Sequence, residues 1–253
     1  MIDIHSHILP GLDDGAKDLA DSLEMARIAV SEGIRTIFAT PHHANGKYTN
    51  DASKVMSAVE QLNDILRERK LPLKVLHGQE IRVYPGLIDD WHNRELLTLN
   101  RSRYILLELP TGSIPSSFGE LLHELSVLKL VPIIAHPERN AEIAGDPDLL
   151  TQFIERGALS QITSHSVIGA FGKKVQRLCL ELCRRNLVHF VASDAHHAVL
   201  RPYRLRECYE YLRSEAGDRY VEYYHANAAS LVADEPVEVW EPQRKKKWFK
   251  LWK

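Results

Sequence analysis

Six short apolar runs in this chain end the same way, and no other feature constrains the fold as tightly. The run at residues 2–4 leads into His5 and His7, then Asp13 and Asp14. Residues 36–39 lead into Pro41, His42 and His43, and residues 73–76 into His77-Gly-Gln-Glu80. Residues 104–109 carry Glu108 near their end, residues 131–135 lead into His136-Pro-Glu-Arg139, and residues 188–192 into Ser193-Asp194-Ala195-His196-His197. Between the runs lie longer segments with apolar residues at helical spacing. Leu19, Leu23, Ala26 and Val30 mark the first, closed by Gly33, and residues 52–69, 118–128, 149–156 and 167–185 mark others. With a shorter strand at 159–162, about seven strand–helix units result, the pattern of a parallel (β/α) barrel. The C-terminal strand ends of a barrel converge on one face, so these ligand-type residues are predicted to meet there.

The chemistry of the set points to metal. His5 and His7 stand two apart at a strand end and share a face, as do Asp194 and His196. Glu80 and Glu108 close apolar runs, where an unpaired carboxylate is costly and a cation would remove the cost. A single histidine after a strand is more often a cap or a solvated loop residue, and His77, His92, His123, His165, His189 and His225 are read that way. His165, at a strand end, is the least secure of these. Nine candidates of mixed nitrogen and oxygen type remain: His5, His7, Asp14, His42, Glu80, Glu108, His136, Asp194 and His196. That exceeds a mononuclear site and suits two or three ions. Imidazole with carboxylate and no thiolate suits manganese, iron(II) or zinc, and such clusters favour in-line displacement at phosphorus. Asp13 against Asp14 is open on spacing alone.

Composition excludes other classes. The 253 residues are 44% hydrophobic and 26% charged, ordinary for a globular chain. A formal net charge of -2 gives no broad footprint for nucleic acid. Three scattered cysteines imply no disulfide framework and fit a reducing cytosol. No signal-type segment is read ahead of the first strand and no run is long enough to cross a bilayer, so a cytoplasmic location is expected.

Two further features have competing readings. Cys179 to Arg185 spells C-x5-R, the signature of cysteine-dependent tyrosine phosphatases. A thiolate loop of that kind usually contains glycine and precedes a helix, whereas here Val175, Leu178, Cys179 and Leu182 form an apolar helical stripe. Cys179 and Cys183, four residues apart on that stripe, are read as packing residues. Residues 244–253, Arg-Lys-Lys-Lys-Trp-Phe-Lys-Leu-Trp-Lys, interleave basic and aromatic side chains. They suit weak contact with an anionic membrane surface, or a solvated tail. A barrel over residues 1–233 and a tail over 234–253 is the predicted organisation.

D-I-H-S-H at 3–7, T-P-H-H at 40–43, Glu80, Glu108, A-H-P-E-R at 135–139 and S-D-A-H at 193–196 resemble the PHP (polymerase and histidinol phosphatase) superfamily. The strings HSHILPGLDDGA and AHPERN resemble one branch, the manganese-dependent tyrosine-protein phosphatases of Gram-positive bacteria, the CpsB/CapC family of YwqE-like type. The resemblance runs from residue 1 to about 233. It implies a distorted (β/α)7, TIM-like PHP barrel with a Mn(II) cluster of three ions, with iron or zinc as alternatives. Carried over, His5, His7, Glu80 and Asp194 would hold one ion. Glu80 would bridge to a second with Glu108 and His136, and Asp14, His42 and His196 would hold the third. Arg139 and Arg201 would clamp the phosphate, and Asp14 or His42 could assist the leaving group.

The implied activity is hydrolysis of phosphotyrosine on proteins by a metal-hydroxide mechanism, without a phosphoenzyme. The implied partner is a membrane-associated bacterial tyrosine kinase in exopolysaccharide or capsule regulation, which would put the enzyme at the inner membrane surface. The alternatives are a PHP-type small-molecule phosphatase such as histidinol-phosphate phosphatase, a nucleic-acid phosphodiesterase, or an inert PHP module that only binds a partner. The last expects lost ligands, and the set is intact. The loop at 42–50 could contact a substrate peptide.

Overall fold

The computed structural model describes residues 1–244. In chain order the elements are β1 (Ile2–Ser6), α1 (Leu19–Ser31), β2 (Thr36–Ala39), β3 (His42–His43), α2 (Ala52–Glu68), β4 (Lys74–His77), β5 (Glu80–Arg82), α3 (Leu87–His92), β6 (Tyr104–Glu108), α4 (Phe118–Val127) and β7 (Val131–Ala135). Then follow α5 (Ala141–Gly145), α6 (Asp148–Glu155), β8 (Leu159–Thr163), α7 (Ser164–Val167), α8 (Lys173–Arg184), β9 (Phe190–Ala192), α9 (Leu205–Ala216) and α10 (Asp218–Val232). Side-chain caps fix several helix starts. Asp18 accepts from Asp21 N, Asp51 from Lys54 N, and Asn140 from Glu142 N and Ile143 N.

The strands form two parallel sheets, ordered β1-β2-β4 and β3-β5-β6-β7-β8-β9. Strand β3 resumes the path of β2 after Thr40-Pro41, and β5 resumes β4 after Gly78-Gln79. Pro41 has no N–H to give the ladder, which accounts for the first break. Counted as continuous staves, β1, β2/β3, β4/β5, β6, β7, β8 and β9 make seven. The ring closes between β9 and β1: Ser6 bridges Ala195, His7 N donates to Ala195 O at 2.8 Å, and Asp194 N donates to His5 O at 2.9 Å. The predicted seven-stave barrel is thus present, with its distortion located at the two broken staves.

Alternation along the strands sorts the core into two layers. Ile4, Phe38, Leu76, Leu106, Ile133, Leu159 and Phe190 fill the barrel interior, and Leu231 of α10 closes its lower end. Ile37, Val75, Ile105, Leu107, Ile134 and Val191 face outward against the helices. The upper interior is polar and belongs to the site.

Two expectations change in detail. The segment at 167–185 is not one long helix, because α7 ends at Val167 and Gly169 and Gly172 take positive φ before α8 begins. Residues 234–244, assigned to the tail, have no helix or strand but lie against the lower barrel. Tyr104 Oη donates to Glu235 O at 2.6 Å, Trp240 stacks on Tyr223 at 4.0 Å, and Gln243 N donates to Arg185 O at 2.8 Å. Arg244 pairs with Glu155 at 2.6 Å. The rest of the basic aromatic tail, 245–253, lies outside the described residues. Among the described residues, no helix is long and apolar enough to cross a membrane.

Candidate metal centre

All nine predicted ligands and both arginines come together at the upper end of the barrel. The side-chain donors fall into three overlapping groups, with atoms in each within 4.8 Å of one another: His5, His7, Glu80 and Asp194; His7, Asp14, His42 and His196; and His42, Glu80 and Glu108. His136 joins through Glu80, with its Nε2 at 2.6 Å from Glu80 Oε1. The first group has the membership expected from the resemblance. The others share residues more widely, with His7 beside the Asp14 group and His42 beside Glu80 and Glu108.

Backbone irregularity delivers several of these side chains. Ile4 fills the barrel interior, and His5, the next residue, also reaches inward. Two consecutive inward residues break strand alternation. The register between β1 and β2 shifts between Asp3 and Ser6, a bulge that turns His5 to the site. Ala135 and His136 repeat the situation on β7, where His136 takes the left-handed conformation with φ of 33°. Asp194 also has positive φ, 53°. Strained backbone at these positions is consistent with demands of the site.

Outer partners set which ring nitrogen faces the centre. His5 Nδ1 donates to Gln161 Oε1 at 2.9 Å, since Gln161 Nε2 is occupied with Ile162 O. His7 Nδ1 donates to Asp13 Oδ2 at 2.6 Å, and His196 Nδ1 to Asp194 O at 3.0 Å. Each leaves Nε2 as the lone-pair donor toward the cluster. This separates the two aspartates of the first loop. Asp13 is fully occupied outside the cluster, also accepting from Gly15 N and His42 N at 2.9 Å each. Asp14 Oδ1 lies at 3.5 Å from His42 Nε2 and 3.6 Å from His196 Nε2.

The electrostatics call for cations. Burial would depress the His7 imidazolium, but Asp13 and the neighbouring carboxylates outweigh it and hold the pKa well above the ordinary range. Burial likewise opposes ionisation of Glu80, yet His5, His42 and His136 around it bring its pKa well below the usual value. Glu108 moves up, through burial and the proximity of Glu80. The acids therefore recruit protons onto His5, His7 and His42, a role that divalent ions fulfil with stronger charge. Buried Asp194 Oδ1 lacks a hydrogen bond, and Glu80 Oε2 and His42 Nδ1, 2.9 Å apart, do not form a well-aligned one. Unsatisfied buried donors of mixed nitrogen and oxygen type fit hard or borderline metal ions.

Arg139 and Arg201 stand together beside the ligands. Arg139 Nη1 donates to Asp194 Oδ2 at 2.7 Å and Nη2 to Thr163 Oγ1 at 3.0 Å, and Arg201 Nη2 also pairs with Asp194 Oδ2. The Nε of each is buried without a hydrogen-bond partner. A cavity of about 160 Å³ is lined by both arginines and by Glu80, Glu108, His136 and His196 among others. Sequence reasoning missed Arg82, whose Nε donates to Glu108 Oε2 at 2.9 Å, and Gln161 and Thr163. Strand parity could have found Arg82, which shares a face with Glu80. Gln161 offers no such signal, since its role depends on the β1 bulge.

The residues set aside stay apart from the cluster. His43 Nδ1 donates to Asn50 O at 2.8 Å, holding the loop after β3. His165 is buried near Arg201, its pKa pushed down to about 4 by burial and that arginine. Cys179 is buried midway along α8, and burial raises its thiol pKa well above the ordinary value. Arg185, the arginine of the C-x5-R string, pairs with Asp148 and donates from Nε to Gln243 O. A buried neutral thiol with its arginine committed elsewhere is no phosphate-binding nucleophile.

A parallel barrel with clustered imidazoles and carboxylates at its upper end defines the class, a barrel built to hold metal ions. The chain belongs to the family described as "Capsular polysaccharide synthesis, CpsB/CapC", whose profile matches residues 1–233. It is 47% identical over 243 residues to the tyrosine-protein phosphatase YwqE of Bacillus subtilis, covering 96% of each chain. It is 39% identical over 254 residues to CapC of Staphylococcus aureus, covering 99% of this chain and 100% of that one. A crystal structure from the work on YwqE of B. subtilis and CpsB of Streptococcus pneumoniae, described as unique metal-dependent tyrosine phosphatases, superposes with a TM-score of 0.94 at 47% identity. That superposition covers 98% of this chain and 100% of the other.

Proposed function

We propose that this protein hydrolyses phosphotyrosine on proteins, using a cluster of divalent ions held by His5, His7, Asp14, His42, Glu80, Glu108, His136, Asp194 and His196. The observation carrying this reading is the overlap of three donor groups beside a cavity that Arg139 and Arg201 also line. Mn(II) in a three-ion cluster is the assignment that the family resemblance favours. When bound, the ions would acidify water and neutralise charge on phosphoryl oxygens.

The chain's own residues supply the rest. Arg139 and Arg201 bring guanidinium donors to the non-reacting oxygens, where fork geometry matches a phosphate. Asp194 fixes both arginines through one oxygen and offers the other to the cluster. Thr163 and the Phe171 ring, 4.7 Å from the Arg139 guanidinium, restrict that side chain further. The leaving tyrosine has a pKa of about 10, so it departs with less protonation than an alkoxide needs. Asp14, half exposed, and His42 beside it would assist that departure.

A membrane-associated bacterial tyrosine kinase in capsule or exopolysaccharide control is the proposed substrate source. Contact of residues 244–253 with an anionic membrane belongs to the same proposal, although Arg244 itself is engaged by Glu155. Manganese-loaded protein is expected to turn over a phosphotyrosine peptide far faster than histidinol phosphate. The reverse preference would install the small-molecule phosphatase reading instead.

A further inference from the structure

A second, wider groove opens beside the metal cavity and shares Arg139 and Arg201 with it. Its volume is about 670 Å³, several times that of the cavity holding the ligands. Its wall comes from the start of α8 and the Phe171 turn before it. Phe171 is 46% exposed, unusual for a phenylalanine, and Val175 and Leu178 continue its apolar surface. Lys174 and Arg177 edge the groove, exposed and without an ion pair among the described residues. Of its acids, Glu138 is buried and accepts from Thr163 N at 3.0 Å, and Glu181 lies 3.8 Å from Arg185.

A phosphotyrosyl ring long enough to reach the metal cavity leaves its peptide backbone outside, where this groove begins. The exposed charges on the groove, Lys174 and Arg177, are positive, and its floor is apolar. Resting on the phosphotyrosine reading, we propose that this groove binds the peptide segment flanking the phosphotyrosine, seating an apolar side chain against Phe171, Val175 and Leu178 and an acidic side chain between Lys174 and Arg177. The groove is then a specificity subsite, outside the reacting groups. Its contacts are equal in ground and transition states, so they act on KM rather than kcat.

The test uses manganese-loaded full-length protein and the double variant Lys174→Glu/Arg177→Glu. Substrates are p-nitrophenyl phosphate, a phosphotyrosine peptide with acidic and apolar flanks, and the same peptide with neutral polar flanks. The unchanged protein should favour the acidic peptide. The variant should lose about tenfold in kcat/KM on that peptide, mostly through KM, as expected for removal and reversal of two partly screened charges. Its rates on p-nitrophenyl phosphate and the neutral peptide should be unchanged, which also certifies its fold. Equal rates on both peptides with the unchanged protein, or an equal loss on all three substrates, overturns the subsite. Turnover of p-nitrophenyl phosphate without either peptide would instead remove the protein-phosphatase reading, and the subsite with it.

Discussion

At the residue scale, the ligands could be read because each follows an apolar run, and a barrel turns sequence position into spatial convergence. Glu108 and Arg82 follow strand parity, and Asp194 lies two beyond the interior residue Ala192. The partners that orient the ligands could not be read, because they come from elsewhere in the ring. Gln161 is 156 residues from the His5 it holds. Asp13 is the instructive case. Spacing offers no reason to separate it from Asp14, and only the 2.6 Å contact to His7 Nδ1 assigns it to orientation. Replacing Asp13 by Asn would leave a neutral acceptor and a weaker hold on the His7 tautomer. Asp13→Asn should raise the Mn(II) concentration for half-maximal activity by about 10- to 100-fold, the usual effect of losing such a partner. Titration of metal into stripped protein measures it, and an unchanged midpoint would show that Asp13 has no part in holding His7.

At the element scale, what the sequence hides is irregularity. Periodicity predicts strands, but not that β1 carries a bulge, that two staves are broken, or that the segment after β8 splits at Gly169 and Gly172. These departures are where the site is made, since an ideal strand would point His5 away from the barrel interior that Ile4 fills. The loop after β1 shows the same dependence. A Cβ at Gly15 would stand 2.1 Å from His7 O, so the loop bearing Asp13 and Asp14 packs directly on the backbone of His7, the residue after β1. Gly15→Ala must push the two apart. It should cost about 1–3 kcal/mol of stability by overpacking. The loss of activity at saturating metal should exceed what unfolding explains, because Asp13 and Asp14 move with the loop. Chemical denaturation alongside Mn(II) activation reads both. Wild-type stability and activity in this variant would mean the loop is free to shift.

At the scale of the whole molecule, barrel and chemistry constrain each other. Closure of β9 onto β1 brings the first and last strands together, so His5 and Asp194, 189 positions apart, stand with Nε2 and Oδ1 at 3.4 Å. A seven-stave ring with an apolar lower interior and a polar upper one supports a cluster whose carboxylates would repel one another without cations. The C-x5-R string lies on an outer helix, its first cysteine sealed in the packing between helices and barrel. Residence of the activity in the metal cluster is tested by following phosphotyrosine-peptide hydrolysis in protein stripped of metal and then given Mn(II), in parallel with Cys179→Ser treated the same way. Activity should vanish on stripping, return with Mn(II), and be retained in the serine variant. Activity that survives stripping and is abolished by Cys179→Ser would contradict the account and move the chemistry to the thiol.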